Sequence, residues 1–439
     1  MLIHEWMHSL DKAQTAKPCL RFAGRCLTYG EVTAQTEQLA RRLATVIQPG
    51  ERVLVQKADP LDQLLYFFAV IRAGGACLLI DAAASAFLCQ ELVQRQDVSC
   101  FIDETYSLPF AETGQLPAVA PSDVFLGALS SGSTGTPKVI WRDHASWTNS
   151  FDVQSEVFRV GGNDILFIAG SLVYTANLNA CVHMLAAGGT VVIGAGARPR
   201  SWMQEMAANA VTAICMVPAH YNMLLKIASE PLVSVRSLVA AGARLTPDTV
   251  RNLEARFPDA AIIAYYGASE LGHVAYITGE DLLKKPGAAG KLFPGVKILL
   301  KDDEIWVRSD CLAPAYRPEG TAGDLGRLDE DGFLYVLGRK SGLINSGGVK
   351  VIPEQLETVL LQCPGVAQAV VAGIADPEKG ERVCAWIVKR QESFTAAELL
   401  AYCRQRLRPH CCPQKIVFRE SLPLNGNGKI DRLRLLSGG

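Results

Sequence analysis

The chain has 439 residues, of which 49% are hydrophobic and 20% charged, and its formal net charge is -1. This length supports two or three domains with a large buried core. Acidic and basic residues are interleaved, which excludes a sequence-wide electrostatic attraction to nucleic acid or to an anionic membrane. A small-molecule partner is therefore expected.

The 13 cysteines are scattered, and no CxxC pair or Cys/His spacing is typical of a zinc site, so reduced thiols are expected. The first residues, MLIHEWMHSLDKAQ, contain Glu5 and Asp11 and have no apolar core of a signal peptide. No stretch reaches membrane-spanning length. We therefore expect a cytoplasmic protein without a membrane segment.

Between Arg52 and Tyr266, short β-rich runs alternate with helix-like segments, which predicts α/β layers with mostly parallel sheets. The helix in LTPDTVRNLEARF is expected to begin at Thr246 as N-cap, with Pro247 in its first position. The runs predicted as strands are RVLVQK, ACLLID, TVVIG, TAICMVP, SLVAAG and AIIAYYG, and LDQLLYFFAVIRAG follows the first as a helix. Ligand-binding loops are then expected at the carboxyl ends of the strands.

After Gly287 the pattern changes to a small β-rich module, in which VKILLKDDEIWVRS predicts two strands around an Asp302-Asp303 turn. The sequence beyond Arg339 has an α+β pattern, with a helix predicted from Pro353 and strands predicted in AQAVVAGIA and RVCAWIVKR. The capping-box spacing of Thr395 and Glu398 predicts the start of a further helix. We predict an N-terminal domain over residues 1–339 and a small, mobile C-terminal domain over residues 340–439.

The stretch ALSSGSTGTPKVIW, residues 128–141, gathers glycines and hydroxyl groups before Lys138, directly after a predicted strand. It lacks the GxxxxGK[ST] spacing of a Walker loop. Its backbone N-H groups, hydroxyls and lysine nevertheless suit oxyanions such as a triphosphate. From composition alone, a solvated Gly/Ser loop and a phosphate site remain alternatives.

Three further motifs follow in order: YYGASELG, TAGDLGRLDEDGFLYVLGRK and LNGNGKIDR. Together with SSGSTGTPK they resemble the motifs of the adenylate-forming superfamily, which comprises acyl-CoA synthetases, peptide synthetase adenylation domains and beetle luciferases. Within this superfamily the sequence most resembles small acyl-CoA or aryl-CoA ligases. The resemblance spans about Thr28 to Leu433. It implies ATP and Mg2+ as cofactors, an acyl-adenylate intermediate, and a second half-reaction in which a thiol displaces AMP.

The resemblance assigns the nucleotide site. The loop from Ser130 to Lys138 would surround the β and γ phosphates, the turn Ala241–Ala243 would lie beneath the base, and Tyr266 would pack on adenine, a core tyrosine being the alternative. The residues implied for ATP or AMP are Ser130, Ser131, Gly132, Ser133, Thr134, Gly135, Thr136, Lys138, Ala241, Gly242, Ala243, Tyr266, Gly267, Ala268, Ser269, Asp324, Arg339 and Lys429.

The catalytic residues implied by the resemblance are Lys429, Glu270, Thr134 and Arg339. Glu270 and Thr134 would stand beside Mg2+, an ion that prefers oxygen ligands. Lys429 would bridge the substrate carboxylate and the α-phosphate during adenylation. The alternatives are structural: an exposed acid at a strand end for Glu270, and a solvated basic terminus for Lys429.

Two more positions follow from the same motifs. Asp324 would accept hydrogen bonds from the ribose hydroxyls, although an aspartate in such a loop can also be a turn former. Ser341 falls at the hinge between the domains, where relatives often have Asp or Lys. Rotation remains plausible there, because small residues tolerate large dihedral changes.

The acyl pocket is expected around GSLVYTANLN and VPAHYNML. The residues assigned to it are Tyr174, Asn177, His220, Tyr221, Gly242 and Gly267. Tyr174 stands where many acyl-CoA ligases have a histidine, and no acid is present in SLVYTANLN to hold an α-ammonium. Aryl acids and short or medium acyl chains are therefore favoured. His220 and Tyr221 could equally be buried structural residues.

For the acceptor, LINSGGVKVIPEQLE resembles acyl-CoA ligases more than peptide synthetase domains, which places Ser346, Gly347, Gly348 and Lys350 along a pantetheine tunnel. Coenzyme A is the first hypothesis. A stand-alone enzyme that loads a phosphopantetheinyl carrier protein in trans is the second, and a non-catalytic nucleotide-binding regulator is the third. The oligomer is expected to be a monomer or a homodimer.

Overall fold

The structure is a computed structural model, and it describes residues 1–108, 114–130, 138–196, 198–227, 232–346, 349–377, 380–423 and 430–436. Up to residue 130 the elements are α1 (Lys12–Ala16), β1 (Pro18–Phe22), β2 (Arg25–Thr28), α2 (Tyr29–Leu43), β3 (Arg52–Gln56), α3 (Pro60–Arg72), β4 (Ala76–Ile80), α4 (Ala86–Arg95), β5 (Val98–Ile102) and β6 (Val124–Ser130).

The middle of the chain contains β7 (Lys138–Asp143), α5 (Ala145–Thr148), α6 (Phe151–Phe158), β8 (Ile165–Ile168), α7 (Thr175–Ala186), β9 (Thr190–Ile193), α8 (Pro199–Ala208), β10 (Ala213–Met216), α9 (Pro218–Leu225), β11 (Ser237–Ala241), α10 (Pro247–Arg256), β12 (Ala261–Ala268), β13 (Gly272–Thr278), α11 (Gly279–Lys284) and β14 (Lys291–Leu292).

The last part contains β15 (Lys297–Lys301), β16 (Glu304–Arg308), β17 (Asp324–Leu328), β18 (Leu334–Arg339), β19 (Ile344–Ser346), β20 (Val349–Val351), α12 (Pro353–Leu361), β21 (Val366–Asp376), β22 (Gly380–Lys389), α13 (Ala396–Arg404), β23 (Lys415–Arg419) and α14 (Arg432–Leu436). Short 3-10 helices lie at Glu5–His8, Pro314–Tyr316, Lys340–Gly342 and Pro409–Cys411.

Two sheets form the scaffold of the N-terminal part. One has the order β5-β3-β4-β6-β7, in which only the β6-β7 pair is antiparallel. The other has nine strands in the order β14-β13-β12-β11-β10-β8-β9-β1-β2, and its central strands from β12 to β1 are parallel. These central strands are apolar along most of their length, because both faces of the sheet are covered.

The chain divides into two compact units: residues 1–297 with 307–320, and residues 298–306 with 321–439. The second unit contains the sheet β20-β19-β22-β21, with β23 pairing parallel to β22. A further sheet has four strands in the order β15-β16-β17-β18. The domain boundary at residue 339 remains a prediction. The two compact units are divided at other positions, because most residues of the β-rich module belong to the same unit as the C-terminal residues.

The α/β fold class and the local signals are confirmed. The Thr246 hydroxyl accepts from the Thr249 N-H, and Pro247 occupies the first turn of α10. Both halves of the capping box form at the start of α13. The turn between β15 and β16 places Asp302 and Asp303 at φ values of 49° and 63°, as a two-residue hairpin turn requires. None of the helices in the described ranges is long and apolar enough to cross a membrane.

Buried histidines make the N-terminal unit sensitive to acid. Burial, the main cause at each site, lowers the pKa of His4 and His273 to about 3 and that of His144 and His183 to about 4. The unfolded chain would protonate these rings near pH 6.5. Because the folded unit resists this protonation, its stability is complete above pH 6.5 and falls as the pH drops toward 4.

We expect each of these histidines to lower the free energy of unfolding by up to ~2 kcal/mol between pH 7 and pH 5. Urea unfolding at both pH values should show a smaller loss for His273→Phe than for the original chain. His273 packs among Tyr265, Phe158 and Phe293, so phenylalanine suits its surroundings. Equal pH dependence in the two proteins would contradict the expectation.

Candidate active site

The carboxyl ends of the parallel strands bring several predicted residues to one edge of the nine-stranded sheet. The loop after β8 leads to α7 with Tyr174 and Asn177, and the loop after β10 leads directly to His220. Gly242 follows β11 at a φ of 83°, and β12 ends at the turn that carries Glu270. Such an edge is where open α/β sheets bind ligands.

The turn Ser269–Glu270 connects β12 to β13, and close backbone packing fixes its shape. A Cβ atom on Gly267 would lie 2.4 Å from the Gly272 carbonyl oxygen, so no other residue fits there. The pairing register shifts between Tyr266 and Gly267, which is a bulge that redirects the chain. Gly272 itself has a φ of 73°. The glycines of YYGASELG thus shape the turn on which Glu270 stands.

Arg142, which the sequence analysis did not identify, holds this turn through a hydrogen bond to its backbone. Its fully buried guanidinium donates to the Ser269 carbonyl at 2.7 Å and to the Cys311 carbonyl at 2.7 Å, and it bonds twice to Ser146. Burial lowers its pKa to about 10, so it remains charged at neutral pH. The only signal in the sequence was an Arg-Asp pair that directly follows the apolar residues of β7.

Lys138 begins β7 and is exposed. A hydrogen bond to Tyr316 is the main cause that raises its pKa, and the charge of Glu270 contributes in the same direction. The ammonium is therefore positive at neutral pH. A lysine with a carboxylate near enough to raise its pKa is suited to a phosphate chain together with a divalent cation.

The first turn of α7 lies close to the Glu270 turn, since the Thr175 and Ser269 hydroxyl oxygens are 3.5 Å apart. Asn177 is buried, and its amide donates to the Ala169 and Ser171 carbonyls at 3.2 and 3.1 Å. These bonds shape the loop that precedes the helix. Tyr174 is half-buried at the N-cap of α7, and burial raises its pKa to about 12, so its hydroxyl stays neutral.

His220 and Asn177 meet at Gly170. A Cβ atom there would lie 3.3 Å from Asn177 Nδ2 and 3.6 Å from His220 Cε1, and Gly170 has a φ of 102°. Within the described residues, His220 Nδ1 is buried without a hydrogen-bond partner. Burial lowers the pKa of His220, so this ring is a neutral polar group beside the predicted acyl pocket.

Tyr221 has a different environment. It is fully buried, and its hydroxyl donates to the Ile214 carbonyl or the Val239 carbonyl, both 3.0 Å away. These contacts link β10 and β11 and favour the structural alternative considered for this residue. Its assignment to the acyl pocket remains a prediction.

A small cavity of 20 Å³ lies behind α7. Most of the residues that line this cavity are apolar. Three of them have amide or imidazole side chains: Gln154, Asn179 and His183. The buried His183 bonds to the Ser155 hydroxyl at 2.8 Å, and its pKa of about 4 keeps it neutral. None of the lining residues is an aspartate or a glutamate, so the cavity offers no carboxylate to an ammonium group.

Asp324 and Arg339 lie in the second unit, where β17 and β18 pair them directly opposite each other. Arg339 Nε donates to Asp324 Oδ1 at 3.1 Å. The aspartate side chain is 9% exposed and the arginine 52%. A carboxylate oxygen is a hydrogen-bond acceptor, which is the kind of group that ribose hydroxyls require.

The predicted hinge and tunnel residues also belong to the second unit. Ser341 is exposed in the 3-10 helix that follows β18, next to Lys340, whose ammonium pairs with Glu304 at 2.8 Å. Ser346 and Lys350 lie on the paired strands β19 and β20, Ser346 buried and Lys350 exposed. Their roles remain predictions.

Several predicted residues lie outside the described ranges: Ser131, Gly132, Ser133, Thr134, Gly135, Thr136, Gly347, Gly348 and Lys429. Ser130 is the last residue of β6, and Ala241, Ala243 and Ala268 lie at the ends of β11 and β12 as expected.

The donor set fits a magnesium-nucleotide complex. Within the described ranges, no group of three His, Cys, Asp or Glu residues could hold a metal ion. Mg2+ in nucleotide sites uses one or two carboxylates together with phosphate oxygens, so the single carboxylate of Glu270 is compatible with Mg2+ that arrives with ATP. Lys138, in the same unit as Glu270, would supply a positive charge to the phosphates.

The chain belongs to the AMP-binding enzyme family. The family model for AMP-binding enzymes matches residues 8–115 and 103–317, and the model for the AMP-binding enzyme C-terminal domain matches residues 355–429. Among solved structures, o-succinylbenzoate CoA synthetase (MenE) from Bacillus subtilis, in complex with the acyl-adenylate intermediate OSB-AMP, is similar with a TM-score of 0.85 at 22% identity, covering 98% of this chain and 97% of that one. This is the fold of adenylate-forming enzymes.

Similarity in sequence extends over nearly the whole chain. An uncharacterized acyl-CoA ligase (YhfT) from Bacillus subtilis strain 168 is 30% identical, with 99% of this chain and 98% of the relative covered. A feruloyl-CoA synthase from Amycolatopsis sp is 28% identical, with 94% of each covered. The chain is thus an enzyme of the acid-thiol ligase class, of the AMP-forming acyl-CoA synthetase type.

Proposed function

We propose that the protein activates a carboxylic acid with ATP and transfers the acyl group to the thiol of coenzyme A. The observation that carries this proposal is the arrangement beside the carboxyl edge of the nine-stranded sheet. The Glu270 turn lies there next to the first turn of α7, with Tyr174 and Asn177. Lys138, which begins β7 of the five-stranded sheet, is close enough for the charge of Glu270 to raise its pKa. This arrangement combines charges suited to phosphate with neutral polar groups suited to an acid.

In the first half-reaction, a carboxylate oxygen attacks the α-phosphorus and the bond to the pyrophosphate oxygen breaks. Negative charge then accumulates on the departing pyrophosphate, where Lys138 supplies a positive charge. Lys429 would neutralise the carboxylate and the α-phosphate as they meet. The product is an acyl-adenylate, whose leaving group is AMP.

In the second half-reaction, the thiol releases its proton to solvent, sulfur attacks the acyl carbon, and the bond to the AMP oxygen breaks, so that AMP leaves with the electron pair of that bond. The rotation of the C-terminal domain would withdraw Lys429 and bring Ser346 and Lys350 to the thiol path. The acyl-CoA ligase relatives support coenzyme A as the acceptor.

The acid is proposed to be an aryl acid or a short to medium acyl chain without an α-amino group. Neutral groups support this choice: Tyr174 with its raised pKa, and His220 and His183 with lowered pKa values. The similarity to a feruloyl-CoA synthase favours the aryl class.

A panel of carboxylic acids in ATP-pyrophosphate exchange tests the first half-reaction. Exchange should depend on an aryl or short to medium acid and should be absent with amino acids. Acyl transfer to free coenzyme A is then compared with transfer to holo-carrier proteins. A large kcat/KM preference for a carrier protein would identify a loading enzyme, and ATP binding without exchange for any acid would identify a regulator.

Changing Gly348 to Phe should slow thiol transfer by at least ~10-fold while leaving adenylation nearly unchanged, since a bulky side chain would narrow the proposed tunnel. The two half-reactions are measured separately, with pyrophosphate exchange for the first and consumption of a supplied acyl-adenylate for the second. Gly161→Phe is the control, because an added Cβ there has open space and no positive φ. A larger effect on adenylation would refute the tunnel assignment.

A further inference from the structure

Tyr316 contacts the lysine of the proposed phosphate site. The Lys138 ammonium donates a hydrogen bond to the Tyr316 hydroxyl at 2.6 Å and lies 5.4 Å from the centre of its ring. Tyr316 is half-buried at the end of a short 3-10 helix. The two residues are far apart in sequence, so this contact depends on the tertiary structure.

Tyr316 belongs to a segment, residues 311–317, that is anchored to β7 at two further points. The Cys311 carbonyl accepts from Arg142 at 2.7 Å. Arg317 forms a two-pronged pair with the buried Asp143, with contacts of 2.7 and 2.8 Å. Paired charges with two contacts and one buried partner hold their geometry better than a single exposed pair.

The same segment also holds the Glu270 turn. The Ala313 N-H donates to the Glu270 carbonyl at 2.9 Å, and Arg142 binds the Ser269 carbonyl next to it. The 311–317 segment is thus tied to β7 and to the Glu270 turn. A shift of the segment would move Lys138 and Glu270 relative to each other.

A lysine needs such support because its side chain loses up to ~2 kcal/mol of conformational freedom when it is fixed. A hydroxyl oriented by the backbone can limit this cost before a ligand arrives. The tyrosine hydroxyl takes one of the three donors of the ammonium and, being neutral, does not oppose the binding of phosphate.

We propose that Tyr316 is a positioning residue for adenylation, which holds the Lys138 ammonium toward the phosphate chain of ATP through its hydroxyl and is itself placed by the 311–317 segment. The proposal rests on the proposed function in one respect, that Lys138 faces the β and γ phosphates. Tyr316 acts through Lys138 rather than on the substrate.

A double-mutant cycle tests this proposal with Tyr316→Phe, Lys138→Ala and the combined variant. Calorimetric titration with MgATP, without any acid, gives the first measurement, and kcat/KM for ATP in pyrophosphate exchange gives the second. Tyr316→Phe should weaken both by about tenfold, the size expected for one hydrogen bond to a charged group. Once Lys138 is alanine, Tyr316→Phe should have no further effect.

Two comparisons separate positioning from a general loss of structure. Tyr66→Phe removes the hydroxyl from another lysine-tyrosine pair of the same unit, in which Lys57 lies 5.0 Å from the ring centre, and should change neither measurement. KM for the acid should be unchanged in Tyr316→Phe. If that variant unfolds, Tyr316→His, which retains an accepting ring atom, replaces it in the cycle and should lose less affinity than Lys138→Ala.

The proposal is overturned if Tyr316→Phe binds MgATP as the original chain does, or if the two losses multiply in the combined variant. Failure of the proposed function has a different signature: the original chain would bind MgATP but show no acid-dependent exchange, and the calorimetric cycle would still decide the role of Tyr316. An original chain that does not bind MgATP would overturn both.

Discussion

Replacement of Lys429 by alanine is expected to lower the rate of acyl-adenylate formation by roughly 10²–10³-fold, the effect typical of losing one preorganised group at a developing charge. The same variant should convert a supplied acyl-adenylate and coenzyme A to the thioester at nearly the original rate. The reason is that Lys429 is proposed to act only while the carboxylate approaches the α-phosphate, where two negative groups must meet.

The two half-reactions are measured separately, by pyrophosphate exchange and by AMP release from the supplied acyl-adenylate. Lys415→Ala is the matched control: it removes an exposed lysine at the start of β23 in the same unit and should affect neither rate. Equal losses of both rates in Lys429→Ala would contradict the assigned role, because a residue used in one step cannot slow the other equally.

Local signals in the sequence predicted much of the fold because they depend on neighbouring residues. Thr246 with Pro247, and Thr395 with Glu398, cap helices by satisfying backbone N-H groups of the first turn, and the structure confirms both starts. The apolar runs of β10, β11 and β12 were recognisable because buried parallel strands lack alternation.

Elements that depend on distant partners were not predicted. β23 is a five-residue strand that pairs with β22, and its side chains are exposed or only partly buried. Its sequence, KIVFR, contains no turn residue that would indicate where a strand begins or ends. α14 is equally short, and the sequence analysis predicted no helix there. Its Leu435 is buried against Trp386 and Leu422, a contact that only the folded C-terminal unit supplies.

The candidate site divides in the same way. The motif resemblance predicted roles for Glu270 and Asp324, since each stands in a short run of characteristic residues, and these roles stay predictions. It did not identify Arg142 or Tyr316, because their proposed roles lie in bonds to residues more than a hundred positions away. A charged pair in an apolar strand is a weak sign of such a role, and an isolated tyrosine in a loop gives none.

Tyr221 is a predicted residue for which the sequence left two roles open. The sequence could not choose between a pocket residue and a buried one, because a tyrosine early in a helix after a parallel strand suits both positions. Its hydroxyl lies 3.0 Å from two carbonyls on adjacent strands, which satisfies a polar group that burial would otherwise penalise. The observation that favours the buried role therefore depends on the spacing of β10 and β11, which the sequence does not show.

Glu270→Gln is expected to lower acid-dependent pyrophosphate exchange by roughly 10²-fold and to raise the Mg2+ concentration needed for half-maximal rate. An amide keeps the size of the side chain but removes the charge that a divalent cation requires. A magnesium titration of the exchange rate at saturating acid, repeated at several ATP concentrations, measures both effects.

The structure makes this substitution a test of chemistry rather than of folding. The described hydrogen bonds of the Glu270 turn do not use the Glu270 carboxylate: the Glu270 carbonyl accepts from the Ala313 N-H, the Ser269 carbonyl accepts from Arg142, and the Ser269 hydroxyl lies 3.5 Å from the Thr175 hydroxyl. Glutamine retains these contacts, so the unfolding midpoint should stay close to that of the original chain. Glu280→Gln, which removes an exposed carboxylate from α11 of the same unit, is the control and should leave the magnesium dependence unchanged. If Glu270→Gln lost activity with an unchanged magnesium requirement, the carboxylate would act on Lys138 alone, and the metal assignment would be wrong.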